Sequence, residues 1–87
     1  MPVDTLASYV GKYEIRAGSM LVVTQEGELL FGWPTGGARE EFLAASESDF
    51  FIESGDTEFT FVKDAGGKIT AVILHTGDWR IEAKRVP

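Results

Sequence analysis

The stretch GKITAVILHTGDWRIEAKR, residues 67–85, decides the fold. In its second half Trp79, Ile81 and Ala83 alternate with Asp78, Arg80, Glu82 and Lys84. A period of two marks a half-buried strand. The first half is an apolar, β-branched run that ends near His75, the only histidine in the chain. Gly77-Asp78 suits a two-residue hairpin loop with glycine first, the type II′ pattern. Such a loop pairs Thr76 with Trp79, Leu74 with Ile81 and Val72 with Ala83, so the two apolar faces meet. His75 then lies opposite Arg80, and Ile73 opposite Glu82, on the outer face.

Working outward, turn signals recur about every ten residues, at 17–19, 26–27, 35–37, 46–48, 54–56, 64–67 and 76–78. The segments between them are rich in Val, Ile, Phe, Tyr, Trp and Thr, which suit a pleated surface. None is long enough to carry a crossover helix, so neighbours pair antiparallel. Only residues 3–10 have a helical pattern, with Asp4 as N-cap and Leu6, Ala7 and Val10 as an apolar face. The expected architecture is all-β: an eight-stranded antiparallel up-and-down meander over residues 11–86, with a short helix over one end. The strands close into a barrel or leave a partly open, curled sheet.

Two further turns extend the register. A four-residue loop at 64–67 pairs Phe59 with Val72 and Phe61 with Thr70. At the second hairpin, a two-residue Glu26-Gly27 loop splits the apolar residues between faces. A three-residue loop, Gln25-Glu26-Gly27, pairs Val23 with Leu29 and Leu21 with Phe31, and gathers Leu21, Val23, Leu29, Phe31 and Trp33 on one side. Tyr13, Phe31, Trp33, Phe50, Phe59, Phe61 and Trp79 are then the expected inward aromatics. Of these, Phe61 and Trp79 are expected to carry stability.

Composition sets the outer limits. The chain has 87 residues, 44% of them hydrophobic, which is one domain over 1–87 with one modest core. Without cysteine there is no disulfide, no thiolate nucleophile and no Cys-based zinc site. Fourteen carboxylates against eight Lys and Arg, a net charge of −6, disfavour nucleic acid and anionic membranes. No apolar run reaches the ~18 residues of a membrane span. The N-terminus lacks a signal-peptide pattern, so the chain is cytoplasmic as written, or periplasmic or secreted if cut from an exported protein.

The search for chemistry finds little. His75 is expected outside, beside Arg80 and without a nucleophile, so no Ser/His/Asp catalysis is in place. Glu40 and Glu41 point to opposite faces and cannot act as an acid–base pair. Asp4, Asp56, Asp64 and Asp78 fall in turns or caps, and no segment has calcium-loop spacing. PTGGA and DAGGK lack phosphate-loop spacing and open no helix. No cofactor, metal site or catalytic residue is expected, and the chain is not read as an enzyme.

Arg39 shares parity with Glu41 and Leu43, which sets it at a barrel mouth. With Tyr13, Trp33 and Trp79 it forms the candidate ligand-binding set. A cavity of about 300 Å³ or more would favour a ligand, and a solid aromatic core would exclude one. Val62, Ile69, Ala71 and Ile73 form a candidate interface, because the register leaves them together outside. Met20, Val22 and Leu30 make a second apolar patch. Exposed clusters of this kind mark contacts.

The segments LASYVGKYEI, MLVVTQEGELLF, EFLAASESDFFIE and FTFVKDAGGKITAVILHTGDWRIEAKRV carry a family pattern. They resemble the small lipocalin-like β-barrel domain of unknown function found at the C-terminus of serine β-lactamase-like, penicillin-binding-protein-related hydrolases. The most specific residues are Leu6, Tyr9, Val10, Gly11 and Tyr13, then Phe50, Phe61, Asp64, Gly67 and Ile69, and finally Ala83 to Val86. All are packing and turn residues. The resemblance implies a non-catalytic accessory domain, with a catalytic hydrolase domain or a second copy of itself as partner. The alternative is a barrel that binds a small hydrophobic molecule. The hydrolase's Ser and Lys machinery has no counterpart in this chain, which is either an excised domain or a free-standing version.

Overall fold

The structure is a computed structural model that describes residues 2–87. A one-turn helix α1 (Val3–Ala7) precedes β1 (Gly11–Arg16), β2 (Ser19–Glu26), β3 (Leu29–Pro34), β4 (Glu40–Ala44), β5 (Asp49–Phe51), β6 (Glu58–Lys63), β7 (Ile69–Thr76) and β8 (Trp79–Val86). Each strand pairs antiparallel with the next, and β8 returns to β1 through Lys12–Val86, Tyr13–Arg85 and Glu14–Lys84. The sheet is therefore a closed barrel, and no strand edge is left for edge-to-edge pairing.

The last hairpin has the expected register, from Thr76–Trp79 through Leu74–Ile81 to Val72–Ala83, with His75 against Arg80. Gly77 has φ +59° and Asp78 has a negative φ, the glycine-first geometry of a type II′ turn.

The other two hairpins depart from the expected register. Across β6 and β7, Phe59 faces Leu74 and Phe61 faces Val72, a slip of two residues that leaves both phenylalanines inside. The loop is longer than four residues because Lys63 pairs with Ile69, and Thr70 is the extra residue of a bulge. Asp64 organises it: its carboxylate accepts the amides of Gly66 and Lys68 at 2.9 and 3.0 Å.

In the β2–β3 hairpin Glu26 pairs with Leu29, so Gly27-Glu28 is a second glycine-first loop, with Gly27 at φ +59°. An odd change in pairing turns every side chain over. Leu30 and Gly32 therefore point inward, while Leu29 is exposed and Phe31 and Trp33 are half-buried on the outer wall.

The helix is shorter than expected. Its N-cap is Pro2, and Asp4 sits in the first turn without capping. Beyond Ala7 the chain tightens into i−3 bonds, Tyr9 N–H to Leu6 C=O and Val10 N–H to Ala7 C=O. That turn drives Leu6 and Tyr9 into the barrel. Tyr9 stacks on Phe61 with centroids 4.5 Å apart and meets Phe50 edge-on at 5.5 Å. Tyr13, Leu21, Val23, Leu30, Phe42, Phe59, Ile69, Val72, Leu74 and Ala83 complete the core. Tyr9 and Phe42 thus replace Phe31, Trp33 and Trp79 among the inward aromatics.

Candidate functional site

The barrel has one closed end and one open end. At the closed end Tyr13 donates to the Tyr9 carbonyl at 2.7 Å, and the Tyr9 hydroxyl donates to the carbonyl of Glu47. Arg85 clasps the same end, donating to the carbonyls of Val10 at 2.5 Å and Ile69 at 3.2 Å. Burial raises the hydroxyl pKa of both tyrosines, that of Tyr13 to about 12. These groups hold the plug in place, and the groove outside it, lined by Gly11, Asp64, Lys68 and Arg85, lies on the surface.

At the opposite end, between the loops 35–39 and 52–57, lies a cavity of about 280 Å³. Leu21, Phe42, Ile52, Phe59 and Leu74 supply most of its apolar wall. Its depth depends on Gly32, since a Cβ built there would come within 2.4 Å of the Phe42 ring. The polar side chains at the cavity are Glu40 and Thr57. Ser54 in the loop 52–57 donates to a Glu40 oxygen at 2.5 Å, and the Thr57 and Thr76 hydroxyls share a bond of 2.8 Å. Both bonds tie the loop to the barrel wall.

The four candidate ligand residues do not converge on this cavity. Trp33 borders it from an outward-facing position of β3. Tyr13 belongs to the closed end. Arg39 lies on the outer wall, its guanidinium 3.8 Å from the Phe31 ring centre and paired with Glu26. Trp79 has inward parity but stands at the last rung, so its side chain passes beyond the wall and is 52% exposed. The cavity residues missed in the sequence are Gly32, Phe42 and Glu40. Glycine inside a strand signals a close approach by another group, and Gly32 has that role here.

The candidate interface is also revised. Ile69 and Ala71 are only 1% and 2% exposed. The bulge at Thr70 reverses parity and sends Ile69 into the core, and Ala71 is a small side chain between its ladder partners Val62 and Lys84. Val62 and Ile73 stay half-buried on the outer wall, and so do Met20 and Val22, whereas Leu30 is in the core. The large apolar side chains that remain exposed are Phe51 and Trp79 at the open end, and Val3 and Leu29 at the closed one.

His75 pairs with Arg80 across β8 and Glu58 across β6, half-buried on the outer wall. Nearby Asp49 uses its carboxylate on Thr60 at 2.7 Å and Ser46 at 2.9 Å, and those bonds hold it below the usual carboxylate range. Among the described residues no cluster of three or more His, Cys, Asp or Glu could hold a metal ion. No described helix is long and apolar enough to cross a membrane.

A closed eight-stranded antiparallel barrel with one plugged end defines the class of this protein. The chain belongs to the family described as Domain of unknown function (DUF3471), which matches residues 1–85. Comparison with curated proteins and with solved structures returned no match.

Proposed function

We propose that this barrel is a non-catalytic accessory domain of the type appended to serine β-lactamase-like hydrolases, and that it docks its partner domain through the open end. The observation that carries this reading is the apolar rim. Phe51 and Trp79 are 38% and 52% exposed at the end that also holds the cavity. Large apolar side chains left exposed at one end of a barrel suit burial against another protein surface. Val3 and Leu29 are exposed as well, but at the plugged end.

The test pairs the barrel with the hydrolase domain that shares its natural reading frame. Binding in trans is expected, with the Phe51→Asp, Trp79→Asp double variant weaker by about tenfold or more, ~1.4 kcal/mol. The purified barrel alone is expected to leave ester, amide and β-lactam substrates unchanged. A reading frame without such a domain, docking unaffected by the double variant, or turnover by the barrel alone would each overturn the reading.

A second reading, a small-molecule-binding barrel, is favoured by the cavity itself. Small-molecule sites typically span about 300–1,000 Å³, and this one, at about 280 Å³, lies just below that range. The aromatic plug fills the other half of the barrel, so any ligand is small and sits at the mouth. Saturable perturbation of cavity-wall resonances by a small apolar compound is the expected signature.

A further inference from the structure

The register places Glu40 opposite Gly32 and on the inward parity of Phe42, so its carboxylate belongs to the cavity wall and not to the outer surface. Glu40 is half-buried, and its side-chain partner is the Ser54 hydroxyl, which reaches one carboxylate oxygen. The ion pairs among the described residues are Arg39–Glu26 and Lys63–Glu47, and neither involves Glu40. Arg39, the adjacent residue, is held on the outer wall by Phe31 and Glu26. The cavity therefore combines apolar walls with one carboxylate that has no cation beside it. A carboxylate drawn into an apolar site gains most from a charge-assisted hydrogen bond.

We propose that the open-end cavity binds a small primary ammonium ion carried on a compact apolar body, with Glu40 as its counter-ion. This rests on the small-molecule reading above and names the ligand's chemical class. The body packs among Leu21, Phe42, Phe59 and Leu74, and the ammonium group stays near the mouth, where Glu40 accepts its hydrogen bond. About 280 Å³ admits a phenyl ring or short branched alkyl group with a two-carbon arm. An anionic ligand meets Glu40 and a net protein charge of −6, so it is disfavoured twice. A neutral ligand of the same shape keeps the apolar contacts and loses the ion pair.

The experiment titrates the isotopically labelled chain with 2-phenylethylamine, 2-phenylethanol and phenylacetate, and follows backbone amide resonances. The amine is expected to saturate shifts at Leu21, Gly32, Glu40 and Leu74, and to bind about tenfold or more tighter than the alcohol. Phenylacetate is expected to bind weakest. Glu40→Gln should bring the amine down to the alcohol's affinity and leave the alcohol unchanged, and Ile52→Trp, which fills the mouth, should abolish both. Equal binding of amine and alcohol, or a preference that survives Glu40→Gln, overturns the ammonium site and leaves the small-molecule reading standing. No cavity shifts with any of the three compounds overturns both. Because the amine–alcohol contrast is measured on the unsubstituted chain, its absence overturns the ammonium site even where a variant fails to fold. Amine-specific saturation confined to Gly32 and Glu40 separates the site from general attraction to a chain of net charge −6.

Discussion

The two ends of this barrel are built from similar residues and end up different. At the plugged end Tyr9, Phe50 and Phe61 meet ring to ring, and the buried hydroxyls reach backbone carbonyls. At the open end Phe42 stacks on Phe59 with centroids 4.2 Å apart, but no helix lies beyond them. Gly32 contributes no side chain there, and Trp79 and Phe51 turn to solvent. A short helix in front of β1 packs Leu6 and Tyr9 into one end of the barrel and leaves the other end uncovered. Interior packing supplies stability roughly in proportion to buried apolar area, so the two ends should respond differently to substitution.

The largest effect expected is at the plug. Phe61→Ala removes a ring that touches Tyr9, Tyr13 and Phe50, and should cost about 3–5 kcal/mol in chemical denaturation. That is comparable to the whole stability of many small domains, so the variant should be largely unfolded. A cost below ~1 kcal/mol would mean that the stable half lies elsewhere.

A smaller effect follows from the tyrosines. Tyr13 has its hydroxyl pKa raised to about 12 by burial, so the fold favours its neutral form. Below the unfolded-state value of about 10 this contribution is fully present, and it is lost as pH rises toward about 12. The loss should be on the order of 2–3 kcal/mol, seen as a falling melting temperature that tracks tyrosinate absorbance. Tyr13→Phe should flatten that alkaline slope, whereas open-end substitutions should leave it unchanged. An equal slope in Tyr13→Phe would remove Tyr13 from the pH response and leave Tyr9, whose pKa burial also raises, as the plug's titrating group.

These differences explain what could be read from the sequence. Strand number, antiparallel order and the last hairpin follow from alternation and from Gly77-Asp78, signals confined to a few adjacent residues. Gly27-Glu28 is the same glycine-first turn, but gathering the apolar residues on one face favours a longer loop with Gly27 last, which puts Phe31 and Trp33 inside. The Thr70 bulge leaves no mark in the alternation, and Ile69 changed faces because of it. The cavity was hidden for a related reason: Glu40, Phe42 and Gly32 share a face only once the β2–β3 register is correct. The plug is half legible, since the pattern predicts a helix over one end, but the turn that inserts Tyr9 depends on i−3 bonds that the apolar pattern does not reveal.

Trp79 gives the smallest expected effect and the sharpest contrast with Phe61. Alternation along β8 assigns it to the inner face with Ile81 and Ala83, and a buried tryptophan replaced by alanine would cost about 3–5 kcal/mol. In the structure the strand begins at Trp79, so no further rung covers its ring, and half of the residue is open to solvent. Trp79→Ala should therefore cost less than about 1 kcal/mol in the isolated chain. The same substitution should weaken docking at the open end, because a ring exposed in the free domain contributes mainly when a partner covers it. A stability cost near that of Phe61→Ala would place the ring inside the barrel mouth, occupying the space assigned to the cavity. It would also remove the asymmetry between the ends, so this one variant tests both the register at the rim and the availability of the site.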